Sequence, residues 1–323
     1  MVSMVFLAVC FTLSRSLCSQ SALSASRDKP PYHKSLICAR RKPTLESEMT
    51  GAPKQRPPFT YEHYKYILHS ALENGYKFIS FPELKDVHQK EQLVCCLRHD
   101  CDNDLTAAVA MAVLEAQMRV QSTYFLMLRS AMYNLLSTPN AELVREIIRR
   151  GHKIGLHFDE QCYQNTSPAE IVSYVDCERA LLSREFGLPV NVVSFHQPSQ
   201  RVLDNEIRTS CINTYGHSDM EGVHYLSDSN TLWKEGCPSK FFRERRYPRL
   251  QLLIHPEWWT KEEMTLQQKW NQMLRNNFEL VQQSLLRRER TYNQRQEIAF
   301  VIQRCNETTD SHSSGKHTLK LDD

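Results

Sequence analysis

The octet LRHDCDND, Leu97–Asp104, follows the apolar run Leu93-Val94-Cys95-Cys96 and packs Arg98, His99, Asp100 and Asp102 against the end of a buried strand. Folding alone does not call for such a cluster, because a charge at the edge of a core is costly unless it is paired or bound to metal. On a strand, residues two apart face the same side, so Asp100 and Asp102 point together. Two carboxylates that close repel one another, and a divalent cation removes the conflict. Three later apolar runs also end in histidine: GHKIGLHFD at His157, with Asp159 two residues on, VVSFHQPS at His196, and LLIHPEWW at His255. One histidine closing a strand is more often structural, and Arg98 and His99 could simply neutralise the two aspartates. Four strand ends carrying His or Asp point instead to one centre. A mixed His and Asp set suits zinc or a similar borderline metal better than calcium. The chemistry that follows has one Asp as ligand, the other as base for an activated water, and a distal His as proton donor to the leaving group.

These residues need elements that bring them together. From Thr60, YEHYKYILHSALENG shows apolar residues at helical spacing and stops at Gly75. Beyond it the pattern alternates: strand 92–98, helix 104–118, strand 121–128, helix 141–150, strand 152–158, helix 168–186, strand 190–196. The helix at 104 carries a stripe of Leu105, Ala108, Val109, Ala112 and Val113, with Asn103 or Asp104 as its N-cap. Strands alternating with helices predict an α/β fold with a parallel sheet, open or closed into a barrel, whose active site lies at the carboxyl ends of the strands. Further strands are expected near 223–227 and 249–255. Thr260–Glu263 reads as a capping box opening a helical region to about residue 304, broken near Arg287–Arg290.

The 323 residues are 41% apolar with a formal net charge of +3, enough to bury a full core. With no basic stripe interleaved with aromatics, nucleic acid is not an expected partner. The 11 cysteines show no CxxC spacing and read mostly as buried thiols of a reducing compartment. The run MVFLAVCFTL is too short to span a bilayer, and no transmembrane helix is expected. Serines and arginines without an acidic residue before Asp28 fit a transit segment, a secretory signal or an unstructured extension equally, and with the cysteine usage an intracellular location, cytoplasmic or organellar, is favoured over secretion. The proline-rich stretch before Pro58 marks a linker. The expected organisation is an extension over 1–56, a catalytic domain over 57–305 and a polar tail over 306–323.

The ordered set LRHDCDND, GHKIGLHFD, SFHQPS, YLSDSNTLW and LLIHPEWW, spanning about residues 57–260, resembles the polysaccharide deacetylase superfamily, in a branch with Arg-His-Asp-x-Asp and His-Pro-x-Trp-Trp motifs. The resemblance implies a distorted (β/α) barrel of about seven strands, fewer than the eight of a TIM barrel. It implies Asp100 as the base, Asp102 and His157 as metal ligands, His255 as general acid, and Asp228 as the group orienting that histidine. Arg98 and His99 support the carboxylates, and His152 falls at a structural position. The usual second metal histidine, four residues after the first, is replaced here by Gln161, a poor zinc ligand. His196 is the leading third ligand and Asp159 the alternative. The implied activity is metal-dependent removal of an N-acetyl or similar acyl group from a carbohydrate or sugar conjugate, with Trp258 and Trp259 as candidate sugar contacts. Two alternatives stay open: a catalytically inactive binding protein of the same fold, and hydrolysis of another C–N or ester bond.

Overall fold

The computed structural model describes residues 58–87 and 92–292. The expected extension over 1–56, the tail over 306–323 and the helical stretch beyond 292 lie outside the described residues. Thr60 caps the first helix, α1 (Tyr61–Glu73), accepting from the His63 amide, and the chain leaves through Gly75 at φ +86°. A left-handed turn of this kind is where glycine costs least. Among the described residues eight strands follow, most of them with a helix between: β1 (Lys77–Phe78), β2 (Val94–Cys101), α2 (Leu105–Gln117), β3 (Thr123–Leu126), α3 (Thr138–Arg149), β4 (Lys153–Phe158) and α4 (Pro168–Phe186). After these come β5 (Val192–Phe195), α5 (Gln200–Leu203), β6 (Ile212–Asn213), β7 (His224–Ser227), α6 (Pro238–Glu244), β8 (Arg249–Ile254) and α7 (Leu266–Arg288).

Every strand pair is parallel, in the order β6-β5-β4-β3-β2-β8-β7, with β1 beside the start of β2. The result is the distorted α/β barrel expected from the sequence, seven strands around an open seam between β6 and β7. Side chains bridge that seam. Arg98 donates to Thr214 Oγ1 at 3.0 Å and Tyr215 Oη at 2.9 Å, and Gln251 donates to the Thr214 carbonyl at 3.2 Å. Among the described residues no helix is long and apolar enough to cross a membrane.

Strand parity explains the layering. All eight residues of β2 are buried. Val94 and Cys96 face inward with Phe81, Phe125, Val192 and Ile212, which fill the amino-terminal end of the barrel. Cys95 and Leu97 face outward against α1 and β8, and Cys101 faces the helices on the other flank. Continuing the alternation, Arg98 and Asp100 stand above the apolar plug, inside the barrel. Gly155 pairs with Phe125 across β3 and β4, and a Cβ there would sit 2.6 Å from the Phe125 ring. Glycine at that position leaves room for the plug.

The structure corrects several expectations. The last helix begins at Leu266, with Thr265 and Gln268 forming the capping box, not at Thr260–Glu263. Thr260 instead pairs with Thr60: its carbonyl accepts from the Tyr61 amide at 2.8 Å, and its amide donates to the Phe59 carbonyl. A capping motif offers the same residue types in both places, and the backbone pairing decides between them. The cap of α2 is Asp104, which accepts from Thr106 and Ala107. The short elements β1, β6, α5 and α6 carry too few residues for a periodic signal, and none was anticipated.

Candidate active site

Three ligand-type atoms converge at the carboxyl end of the barrel. Asp102 follows β2, His157 lies on β4 and His196 follows β5, and one atom of each lies within 4.8 Å of the others. Asp102 Oδ1 is 2.9 Å from His157 Nε2 and 3.5 Å from His196 Nδ1, and the two imidazole nitrogens are 3.3 Å apart. Ligand atoms bound at about 2.0–2.2 Å to one tetrahedral ion lie about 3.3–3.6 Å apart, so two of these three edges already match. Asp102 Oδ1 is buried and, despite its closeness to His157, has no well-directed hydrogen bond. Burial alone would raise the Asp102 carboxyl, but the His157 and His196 imidazoles hold it well below the usual carboxylate range. Burial lowers and the Asp102 contact raises the proton affinity of His196, with a net upward shift. An acidic oxygen and two imidazoles aimed at one point fit a divalent cation.

Behind this trio lies Asp100, 2% exposed. Arg98 grips it in a two-point pair, Nε to Oδ1 at 2.8 Å and Nη2 to Oδ2 at 2.7 Å. The guanidinium is itself fully buried, with Cζ 4.8 Å from the Tyr215 ring centre. Burial pushes the Asp100 carboxyl up, yet Arg98, with help from His157, keeps it below its ordinary value. Such a pair keeps the carboxylate ionised where an isolated one would take up a proton. Asp100 Oδ2 is 3.7 Å from His157 Nε2, so base candidate and ligand histidine are neighbours.

On the β8 side, His255 Nδ1 lies 2.6 Å from Asp228 Oδ1, and the His255 amide donates to both oxygens of the same carboxylate. Trp259 Nε1 completes the cradle, donating to Asp228 Oδ2 at 2.9 Å. Burial works against a charged imidazole here. Asp228, with further help from Asp102 and Glu257, overcomes it and brings the His255 pKa up to about 10. The imidazole is therefore held as a cation in the neutral range, the state a proton donor needs.

Several expected site residues lie elsewhere. His99 points to the opposite face of β2, where it sits 2.6 Å from Glu115 Oε1 and stacks on Tyr124 at 4.3 Å. It supports the strand from outside the barrel and does not touch the two aspartates, as strand alternation requires. His152, the expected structural histidine, joins the same buried group, bonded to Ser122 Oγ and facing the Ala112 carbonyl. Asp159 caps a short turn, accepting from the Gln161 amide at 2.9 Å, and is not part of the ligand trio. Gln161 faces Gln197 on the surface, its Nε2 donating at 3.3 Å. Trp258 and Trp259 are 8% and 1% exposed and pack in the core around α1 and β8, so neither ring offers a face to a sugar. Trp259 acts through its indole N–H on Asp228.

Other residues were missed by sequence reasoning. Ser194, inward on β5, touches Arg98, Asp100 and His157. Its signal was its place two residues before His196. Glu257, inside HPEWW, is buried and accepts from Asn103 at 2.7 Å through one oxygen, while the other has no partner. Burial, with the Asp102 charge, pushes its carboxyl up to about 8. The motif did show a carboxylate two residues after the histidine, but nothing marked it as inward-facing. The α2 entry is held from α7, where Asn277 donates to the Asn103 carbonyl and Asn276 to Asp104.

No family model matches this chain, and no curated protein matches it. Among solved structures it is similar to a CE4 esterase of Streptococcus mutans, at 16% identity over 65% of this chain and 95% of that one, with a TM-score of 0.39. It is similar to a Streptococcus pyogenes deacetylase in complex with acetate at 13% identity, over 42% of this chain and 61% of that one, TM-score 0.35. A CE4 family pseudoenzyme from Bacillus anthracis matches at 12% identity, over 59% and 62%, TM-score 0.36. The chain thus spans less than two thirds of the length of the last two proteins.

Proposed function

We propose that this chain is a metal-dependent hydrolase that removes an N-acetyl or similar acyl group from a carbohydrate or sugar conjugate. The observation that carries the reading is the meeting of the Asp102, His157 and His196 ligand atoms beside the Arg98-held Asp100 and the Asp228-held His255. Two imidazoles and a carboxylate would hold zinc or a similar ion. When bound, such an ion supplies Lewis acidity towards an acyl carbonyl and lowers the pKa of water. Asp100 accepts the proton of the attacking water, and Arg98 keeps it ionised until then. His255, cationic in the neutral range, donates its Nε2 proton to the departing nitrogen, and Asp228 fixes the ring so that this nitrogen is the free one. The carbohydrate class of the substrate comes from the motif resemblance and not from the site's shape.

A binding protein without catalysis is the second reading, and one observation favours it: both Asp100 oxygens already accept from Arg98. Hydrolysis of another C–N bond or of an ester would use the same groups. Elemental analysis of the purified protein, followed by an acetate-release screen over N-acetylated sugars and sugar nucleotides, separates the three. About one equivalent of metal is expected, with Asp100→Asn keeping the metal and losing at least about 100-fold in rate. A folded, metal-free protein whose stability ignores His157→Ala would overturn the enzyme, while metal without turnover on any acylated compound would leave the binding protein.

A further inference from the structure

Ser194 occupies a junction between the base candidate and the ligand trio. Strand parity turns it inward on β5, in register with His157 on β4, and it is fully buried. Its hydroxyl has three neighbours. Arg98 Nη2 donates to Oγ; His157 Nδ1 lies 3.0 Å from Oγ; both oxygens of Asp100 lie 3.4 Å from it. A hydroxyl has one proton and two acceptor sites, so these contacts restrict one another. His157 faces Asp102 and His196 through Nε2. For Nε2 to offer a lone pair to a cation, the neutral ring must carry its proton on Nδ1, and that N–H is buried with one acceptor in reach, Ser194 Oγ. Oγ then accepts from both Arg98 and His157, and its own proton has Asp100 as its remaining partner.

We propose that Ser194 is a positioning residue that fixes His157 as a metal ligand through Nε2 and ties the ligand trio to the carboxylate of Asp100. The proposal rests on the metal-dependent reading above and adds to it the group that sets the histidine's tautomer. Outer partners of ligand histidines act in this way, and their loss weakens metal binding by about 10- to 100-fold. Without the hydroxyl, the Nδ1 proton of a metal-bound His157 is buried with no acceptor. The apoprotein is under less constraint, because the ring can place its proton on Nε2, facing Asp102.

The test compares wild type, Ser194→Ala and Ser194→Thr for zinc affinity by competition with a chromophoric chelator, alongside apoprotein melting. Expected is a loss of about 10- to 100-fold in zinc affinity for Ser194→Ala and recovery in Ser194→Thr, which keeps the hydroxyl. An independent readout needs no variant: nitrogen-15 spectra of histidine-labelled, zinc-loaded wild type should show His157 ligated through Nε2, with a slowly exchanging Nδ1 proton close to the Ser194 hydroxyl. Zinc affinity in Ser194→Ala within about twofold of wild type, or ligation through Nδ1, overturns the proposal while leaving the metal site standing. Failure of the wild type to bind zinc overturns both.

Discussion

Replacing Asp228 by Asn tests the acid at the heart of the proposed reaction. The His255 pKa stands at about 10 against an ordinary 6.5. At about 1.4 kcal/mol per pKa unit, the gap represents roughly 5 kcal/mol of preference for the imidazolium over the neutral ring. Burial opposes that preference, so the opposing charges must supply more than the net figure, and Asp228 is first among them. The amide introduced by Asp228→Asn would keep the size and an acceptor oxygen for the His255 backbone N–H but lose the charge. Burial would then be opposed by the smaller contributions of Asp102 and Glu257. The His255 pKa is expected to fall by about 2 to 3 units. Stability must follow the same linkage. A histidine with a raised folded pKa contributes stability that is complete below 6.5 and is lost as pH climbs through about 10. Wild type should therefore weaken across that window, by up to roughly 5 kcal/mol from this residue. Asp228→Asn should start less stable at pH 6 and lose less on the way up. Carbon-13 spectra of histidine-labelled protein, with His255→Gln to assign the signal, give the pKa directly, and urea denaturation at pH 6 and pH 9.5 gives the linkage. If His255 titrates near its ordinary value in wild type, or at the same pH in the two proteins, the charge-held acid is wrong, and so is the assignment of His255 as proton donor at neutral pH.

Four further substitutions separate the neighbouring groups. His196→Ala is expected to cost at least about 10-fold in zinc affinity, whereas Gln161→Ala, at a residue that faces Gln197, should stay within about twofold; chelator competition reads both. Glu257→Gln should flatten the apoprotein's decline in stability over pH 4.5 to 8, since a carboxyl raised from 4.5 to about 8 contributes stability below that window and loses it as pH rises through it; melting temperature across the window checks the sign. Glu115→Gln removes the buried carboxylate that faces His99 and accepts from Tyr64, Ser122 and Tyr124, and should cost about 1–3 kcal/mol in urea denaturation while zinc binding survives, because the cluster lies on the other face of β2.

The alternation of apolar runs with amphipathic segments was sufficient to place β2 through β5 and their helices, and the histidines closing those runs marked the mouth of the barrel. Boundaries failed where two local signals compete, as at Thr260 and Thr265. The site was legible wherever a strand end fixed direction: Asp102, His157 and His196 meet. It was illegible where the residue just past a strand is taken up by its own turn. Asp159 shares its parity with His157, yet it turns back to cap its own turn. Trp258 and Trp259 show the limit of reading aromatics from sequence, since a ring that packs a core and a ring that stacks on a sugar have the same letter. Ser194 was missed for a different reason: its parity with His196 gives its direction, but a serine gains meaning here only from the three charged or polar partners that the barrel brings to it from β2 and β4.

His99 was expected with the aspartates and found on the far side, and that error exposes how β2 is held. Its inward residues Arg98 and Asp100 satisfy each other and reach Ser194, Thr214 and Tyr215. Its outward residue His99 satisfies Glu115, which also accepts from Tyr64, Ser122 and Tyr124. Slipping the strand by one residue would exchange the two faces, since side chains alternate with a period of two. His99 would enter the barrel and leave Glu115, while the Arg98–Asp100 pair would turn outward together, losing Ser194, Thr214 and Tyr215 and setting the Asp100 carboxylate beside Glu115. Like charges brought together in a buried site, and polar groups stripped of their partners, cost several kcal/mol, roughly, more than these contacts add to stability in their native places. Polar networks on both faces therefore act on register more than on stability. The register they enforce is the one that delivers Asp100 to Arg98 and Asp102 to the two histidines.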